Sequence, residues 1–158
     1  RGKLRLPGNL WYIGTINNDD STYMVTDKVY DRAMPIDIDT KIDPYECRDQ
    51  EAMNINSSYL ESLFAQAMKD YPVSKENLDK VKALDDYVIA HFRISFGNRI
   101  MKQLNTFSAV YVACGGDEVE AIDYFMAKKV LRKFEALNLA LIRDEIDGFI
   151  ESYLKMKL

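Results

Sequence analysis

The sequence predicts a mostly α-helical protein, in which a small α/β remnant of two strands and a short helix is followed by a bundle of about five helices. Two observations lead to this prediction. Residues 1–43 combine turn signals with β-branched and apolar runs, whereas residues 44–158 repeat apolar positions at helical spacing between capping residues and helix stops. We therefore predict a domain boundary at residue 43.

The first part begins with a turn and a strand. Residues 6–9 (Leu-Pro-Gly-Asn) are typical of a turn, and the continuous apolar and β-branched run 10–16 predicts a strand covered on both faces, as in a parallel sheet. A short helix is expected within residues 23–32, ended by Pro35, and the alternation of residues 36–39 predicts a second strand with one face in water. Because two strands do not form a stable sheet alone, we expect the rest of that sheet to lie outside this chain.

The second part contains five helix signals, each with a recognisable beginning or end. Capping residues precede the apolar positions, and proline or paired glycines close the pattern. The predicted helices run from the capping box at Ser58 to Pro72, onward from the cap Ser74, from Gly97 to Gly115-Gly116, from Asp117 to about Phe134, and from about Leu139 to Leu154. Helices of this length with short connections pack as a bundle.

Composition and charge exclude several classes of protein. The 158 residues are 47% hydrophobic and 29% charged, which is typical of a soluble globular chain, and the net charge of −4 argues against a general nucleic-acid binder. No run approaches the roughly 18 apolar residues of a membrane-spanning helix, so we expect no membrane contact. The chain begins with neither a Met start nor the apolar core of a signal peptide, and we expect it to continue a longer protein.

Cysteine and histidine are too few for the usual zinc sites. Cys47 and Cys114 form no CxxC motif and His91 is the only histidine, so we expect no metal site of that kind. We interpret His91 as a surface or core residue rather than a catalytic base. Two isolated cysteines fit a reducing cytoplasm, which is the compartment that we predict, although they leave a disulfide open.

The end of the first predicted strand is the first candidate site. Asn17 follows the strand at the edge where α/β proteins bind ligands, and an amide there can orient a water molecule toward a phosphate. Asp19 or Asp20 could hold a water or a cation beside it. The alternative is an ordinary turn, since Asn and Asp both favour turns.

Two arginines are further candidates. Arg32 ends the predicted short helix, where it could reach a neighbouring subunit as an arginine finger or simply interact with the helix dipole. Arg99 lies in the first turn of the third bundle helix, where a basic residue opposes the helix dipole. That position indicates anion binding, unless the helix begins earlier and Arg99 is a solvated residue in its middle.

A basic cluster on the fourth bundle helix consists of Lys128, Lys129, Arg132 and Lys133. We interpret it as a solvated face or as a C-terminal turn that favours the helix dipole, with a phosphate or partner contact as the alternative. The sequence contains no GxxxxGK[ST] phosphate loop and no GxGxxG. We therefore predict that these 158 residues alone neither grip nor hydrolyse a nucleotide.

Four segments, in order, resemble AAA+ NTPases of the McrB type, the motor subunits of modification-dependent restriction systems. Residues 6–20 resemble the sensor-1 segment, and residues 27–39 resemble the arginine-finger segment with the strand after it. Residues 96–100 (Phe-Gly-Asn-Arg-Ile) resemble the sensor-2 region of the lid, and residues 120–133 resemble a lid helix. The resemblance covers nearly the whole chain.

The resemblance implies a role for each candidate residue. Asn17 would be sensor 1, Arg32 the arginine finger and Arg99 sensor 2, with the Walker segments upstream. Residues 1–43 would be the C-terminal part of the AAA+ α/β core, and residues 44–158 would be the helical lid domain.

The same resemblance implies that the intact protein is an ATPase or GTPase that uses magnesium. It would act in a ring of AAA+ subunits in DNA restriction or defence, with a nuclease subunit as a further partner. We expect no cofactor and no direct DNA contact on these residues alone. The chain departs from the family at Ser21, where the family has Arg, and in a triple-Arg segment reduced to Arg32. The competing hypothesis is a non-catalytic helical protein-interaction module, which the absent phosphate loop favours.

Overall fold

Helices make up the regular structure of the residues that are described. A computed structural model describes residues 2–17, 25–38, 40–95, 97–138 and 142–156. In chain order, these residues form α1 (Asp27–Tyr30), α2 (Ser57–Asp70), α3 (Lys75–Phe92), α4 (Gly97–Ala113), α5 (Glu118–Lys129), a 3-10 helix (Leu131–Ala136) and α6 (Arg143–Met156). The prediction of a mostly helical chain with a bundle of about five helices is confirmed, with α2 to α6 as the bundle.

Side-chain caps determine where three of the bundle helices begin. The Asn56 side chain accepts a hydrogen bond from the backbone N–H of Tyr59 at 2.7 Å, so Asn56 caps α2 and the predicted capping box at Ser58 is wrong. The Ser58 hydroxyl instead donates to Asn56 Oδ1 at 2.8 Å. Ser74 caps α3 and Asp117 caps α5, as predicted, because each accepts backbone N–H groups of the first turn that have no helical partner.

Paired glycines end α4, also as predicted. Gly115 has a φ of 94°, in the left-handed region that a side chain would strain. At Gly116, an added Cβ would lie 2.1 Å from Cε1 of the Tyr111 ring, so a larger residue would displace that ring. The chain can therefore turn within four residues from the end of α4 to the beginning of α5.

The hydrophobic core lies between α3, α4, α5 and α6. Helix α4 packs against α2 and α5, and α3 packs against α6. The core side chains recur at helical spacing, and those that are at most 2% exposed include Val81, Leu84, Val88, Ile100, Leu104, Ile122, Phe125, Met126 and Val130. Burial of such stripes supplies most of the stability of a helical bundle.

An aromatic group closes the end of the core beside the 3-10 helix and α6. The Phe92 and Phe134 ring centroids are 4.8 Å apart, and Phe149 lies 5.8 Å from Phe92 and 5.3 Å from Phe134. The edge-to-face angles of 63° and 88° at Phe92 are arrangements that aromatic quadrupoles favour. These contacts fix the 3-10 helix and α6 against the end of α3.

A single carboxylate ties the beginning of α5 to the beginning of α3. Glu118 Oε1 accepts hydrogen bonds from the Ser74 N–H at 3.1 Å, the Ser74 hydroxyl at 2.7 Å and the Asn77 side-chain amide at 2.6 Å. Burial raises the pKa of Glu118, but the hydrogen bonds from Ser74 and Asn77 outweigh it and the net pKa is lowered. Glu118 therefore joins two helix ends through its charged form.

The two predicted strands are wrong for the residues described. Residues 2–17, 25–38 and 40–56 contain no β-strand, and the sequence 10–16 is strongly exposed, with Ile13 at 95%. Residues 36–38 of the second predicted strand also form none, and residue 39 lies outside the described residues. A strand needs hydrogen bonds from a neighbouring strand, and this part of the chain offers no such neighbour. The short helix of the predicted α/β remnant does form, as α1.

Residues 2–17 and 40–56 are exposed, whereas residues 30–37 between them pack onto the bundle. The boundary predicted at residue 43 stays a prediction. None of the helices in the described residues is both long enough and apolar enough to cross a membrane.

Candidate functional site

The segment that carries Arg32 lies against the bundle beside the end of α5. We call residues 30–37 the Arg32 segment. It begins as the last turn of α1, where the N–H groups of Arg32 and Ala33 both donate to the Val29 carbonyl at 2.9 Å. Met34, in its middle, packs on the hydrophobic core. The segment is thus held by backbone hydrogen bonds at one end and by an apolar contact in its centre.

Lys129 fixes the first half of the Arg32 segment. This lysine is only 3% exposed, and its Nζ donates to the Tyr30 and Ala33 carbonyls, both at 2.5 Å. Burial lowers the pKa of Lys129, and the nearby Asp31 carboxylate opposes that shift. A buried ammonium group is tolerated where its N–H donors are used, and here two of the three bind carbonyls at the end of a helical turn.

Asp37 anchors the other end of the Arg32 segment. Its carboxylate accepts from Lys128 Nζ at 2.6 Å and from a guanidinium N–H of Arg132 at 3.1 Å. The hydrogen bond from Lys128, followed by the contacts with Arg132, lowers the pKa of Asp37. The Arg132 guanidinium also lies 4.3 Å from the centroid of the Tyr30 ring, which is a cation–π distance.

A third set of contacts joins Asp31, next to Arg32 in the chain, to two more elements. Lys133 of the 3-10 helix lies 3.1 Å from Asp31 Oδ1, and the Gln103 side chain on α4 donates to the Asp31 carbonyl at 3.4 Å. The Arg32 segment therefore contacts α4, α5 and the 3-10 helix.

The interpretation of the basic cluster as a solvated face is wrong. All four of its members (Lys128, Lys129, Arg132 and Lys133) bind the Arg32 segment. A signal in the sequence could have revealed this for Lys129, which follows Met126 by three residues and Phe125 by four. That spacing puts Lys129 on the apolar face of its helix, where an ammonium group requires a specific partner.

The structure gives a position for three of the five predicted site residues. Arg32 is exposed, and one guanidinium N–H donates to the Lys28 carbonyl at 2.5 Å, which is the interaction with a helix end that the sequence left open. Arg99 is exposed in the first turn of α4, because α4 begins at Gly97. Asn17 is exposed at the end of residues 2–17, whereas Asp19 and Asp20 lie outside the described residues.

Contacts bring together the elements that carry the two arginines. Gln103 lies one helical turn after Arg99 on α4, and its side chain reaches the carbonyl of Asp31, the residue before Arg32. The role of Asn17 stays a prediction. Arg32 and Arg99 are two exposed cations on elements that the Gln103 contact joins. A guanidinium group is chemically suited to bind phosphate oxygens.

Two further features lie away from the arginines. His91 contacts Glu145 at 2.5 Å and stacks on Tyr87, in a surface contact between α3 and α6. A cleft of about 350 Å³ between α2 and the end of α4, which we call the α2–α4 groove, is lined mainly by Leu60, Leu63, Phe64, Ala67, Tyr71 and Val110. In the portions of the chain that the structure describes, no group of three or more His, Cys, Asp or Glu side chains could hold a metal ion.

Comparisons of the chain with protein-family models, with curated proteins and with solved structures found no match.

Proposed function

We propose that this chain is the sensor-1, arginine-finger and lid portion of an AAA+ NTPase of the McrB type. In this proposal, Asn17 positions the attacking water, and Arg99 contacts the phosphates bound by its own subunit. Arg32 reaches the nucleotide of the next subunit in a ring. The observation that carries the proposal is the surface position of Arg32 on a segment that four basic side chains fix to the bundle.

The exposed run 10–16 supports the assignment of residues 1–43 to an α/β core. Trp11 and Ile13 are 64% and 95% exposed, in a run of seven apolar, β-branched or small residues. Such a run is typical of a strand whose two faces are covered by helices in a parallel sheet, so its exposure here is what the absence of the neighbouring strands and covering helices would leave. We propose that it forms a strand when the rest of the sheet is present.

The exposed arginines support the assignment to phosphoryl transfer. Charge that develops on a transferring phosphoryl group is stabilised by preorganised cations, and an Arg supplied by a neighbouring subunit performs this task in many NTPases. ATP or GTP with magnesium would supply the reacting group. Arg32 and Arg99 suit its anionic oxygens because both side chains are exposed on elements that the bundle holds in place.

The proposal extends to the whole protein. We propose a cytoplasmic motor in DNA restriction or defence that acts in a ring of like subunits with a nuclease partner, and whose phosphate loop lies upstream of residue 1. If the protein carries a GxxxxGK[ST] motif within roughly 100–200 residues before residue 1, which is the length scale of one domain, that motif would support this arrangement. On these 158 residues alone, we expect no multiple turnover of ATP or GTP.

The first experiment measures ATP and GTP hydrolysis by the intact protein with Arg32→Ala. We expect the turnover number to fall by about 10³–10⁵, as for the loss of other arginine fingers. Arg48→Ala is the matched control, because Arg48 is also exposed but lies outside the four motif segments. A turnover number that Arg32→Ala leaves unchanged would refute the role of Arg32.

A mixing experiment tests whether Arg32 acts on the neighbour's nucleotide. Arg32→Ala subunits keep their own Asn17, so a neighbour that carries Asn17→Ala but retains Arg32 can complete the site between them. Equal mixing should restore activity at about a quarter of the sites, because each site needs one subunit of each kind in the right order. Mixing Asn17→Ala with Arg99→Ala should restore none, since both residues serve the same subunit's nucleotide.

A helical protein-interaction module without catalysis is the second candidate function. The α2–α4 groove favours it, because Leu63 and Tyr71 leave 44% and 47% of their surface exposed beside an apolar cleft. An intact protein with no phosphate loop and no nucleotide hydrolysis would favour this candidate over the motor.

A further inference from the structure

We propose that Lys129 is the positioning residue for Arg32 and that, together with Gln103, it makes the Arg32 segment move as one body with the helix that carries Arg99. The attachment of the segment to the bundle depends only on this chain. Its consequence for hydrolysis rests on the proposed function.

The Lys129 ammonium group binds the backbone on both sides of Arg32. Its two acceptors, the Tyr30 and Ala33 carbonyls, lie on either side of Arg32 in the chain. Lys129 therefore fixes the backbone from which the Arg32 side chain extends, while Arg32 itself stays exposed. Because Lys129 is 3% exposed, loss of these acceptors would leave an unpaired buried charge, which makes release of the segment costly.

Two contacts connect the Arg32 segment to α4, the helix that carries Arg99. Lys129 lies one turn after the buried Phe125 on α5, and the Phe125 ring lies 5.8 Å from that of Phe107 on α4. From α4 itself, the Gln103 side chain donates to the Asp31 carbonyl. Because packed helices resist deformation, a displacement of α4 at Arg99 is passed to the Arg32 segment through both contacts.

Coupling between neighbouring sites follows in a ring. Nucleotide bound by one subunit would act on Arg99 and hence on α4. The same displacement would move Arg32 at the nucleotide of the next subunit. Hydrolysis at one site would then depend on occupancy of its neighbour, which is a coupling free energy between two sites.

The first test uses this chain and no nucleotide. We replace Lys129 by Met, which keeps the length of the side chain and removes its charge, and use Lys82→Met as the control because Lys82 is exposed on α3. The measurements are hydrogen exchange at the Arg32 and Ala33 amides and tryptic cleavage after Arg32. We expect Lys129→Met to accelerate both by at least about tenfold, on the scale of lost hydrogen bonds to a charged group. Lys82→Met should change neither.

A second variant covers the case in which Lys129→Met does not fold. Asp37→Asn removes the ion pairs with Lys128 and Arg132 at a partly exposed position and leaves the core intact. It should accelerate exchange of the same amides by about two- to fivefold, as expected for partly exposed pairs. If every variant that folds exchanges at the rate of the parent chain, the segment is not anchored as proposed.

The second test uses the intact protein and separates positioning from stability. We expect Lys129→Met to lower kcat by about tenfold or more with little change in KM, because misplacement of Arg32 affects the transition state more than nucleotide binding. The Hill coefficient should fall toward about 1, the value for independent sites. A normal kcat and Hill coefficient, beside an inactive Arg32→Ala, would overturn the positioning role alone. Full activity of Arg32→Ala would instead refute the proposed function.

Discussion

Replacement of Glu118 by Ala removes the carboxylate that joins the beginnings of α3 and α5. Three donors on Ser74 and Asn77 lose their acceptor, and Asn77 is only 8% exposed. Hydrogen bonds to a charged group contribute about 1.5–3 kcal/mol each, but three that share one oxygen do not add fully. We therefore expect the free energy of unfolding to fall by about 3 kcal/mol, which is about 6–12 °C in Tm for a domain of this size.

The pH dependence of the same contact gives a sharper test. Because hydrogen bonds lower the pKa of Glu118 in the folded chain, its contribution is complete above the unfolded pKa of about 4.3 and is lost as pH falls through the folded pKa. Glu118→Gln removes the titrating group, so the stability difference from the parent chain should be large at pH 7 and should shrink as the pH falls below the unfolded pKa and through the lowered folded pKa.

Urea unfolding at a series of pH values, followed by circular dichroism, measures this difference. Glu46→Gln is the control, because Glu46 is exposed in residues 40–56 and should give a small difference at every pH. A difference for Glu118→Gln that does not begin to shrink as the pH falls below the unfolded pKa would refute the assignment of the stabilisation to the charged carboxylate.

Three further variants test other contacts. Phe149→Ala should lower the free energy of unfolding by about 3–5 kcal/mol, measured in urea, because it removes the centre of the aromatic group. Gly148→Ala should raise Tm less in the parent chain than in a Tyr87→Phe background: alanine favours the α6 helix, but its Cβ would lie 2.6 Å from the Tyr87 hydroxyl and 3.9 Å from the next ring atom. Equal changes in Tm in the two backgrounds would show that the Tyr87 hydroxyl does not hinder the new methyl group. Arg99→Ala should leave Tm within about 1 °C, because Arg99 is exposed.

The helices were predictable from sequence because their signals are local. Ser74, Asp117 and the Gly115-Gly116 pair act within one turn of the helix ends that they define, and the apolar stripes repeat along a single helix. Two local predictions failed. The fourth bundle helix was predicted to reach about Phe134, but α5 ends at Lys129 and a 3-10 helix follows. The other error, at the beginning of α2, arose because Asn56 and Ser58 are both good capping residues two positions apart. The choice between them depends on the backbone angles, which the sequence does not display.

The absence of the two strands and the anchoring of the Arg32 segment could not be predicted from local sequence signals. A run such as 10–16 carries a preference for a sheet, but a strand forms only when other strands supply its hydrogen bonds. The contacts of Lys129 join residues 96 to 99 positions apart, so no local pattern specifies them. The position of Lys129 on the apolar face of α5 predicts that its side chain is buried. Which carbonyl groups accept its hydrogen bonds is determined only by the tertiary fold.

The exposure of residues 10–16 has a practical consequence for anyone who purifies this chain. Seven consecutive residues without charge or proline, rich in β-branched and aromatic side chains, form a segment that can stack with copies of itself into cross-β fibrils. Self-association should therefore increase with protein concentration and decline when Ile13 is replaced by Lys. Solubility of the helical bundle would then be limited by a segment that contributes nothing to its core.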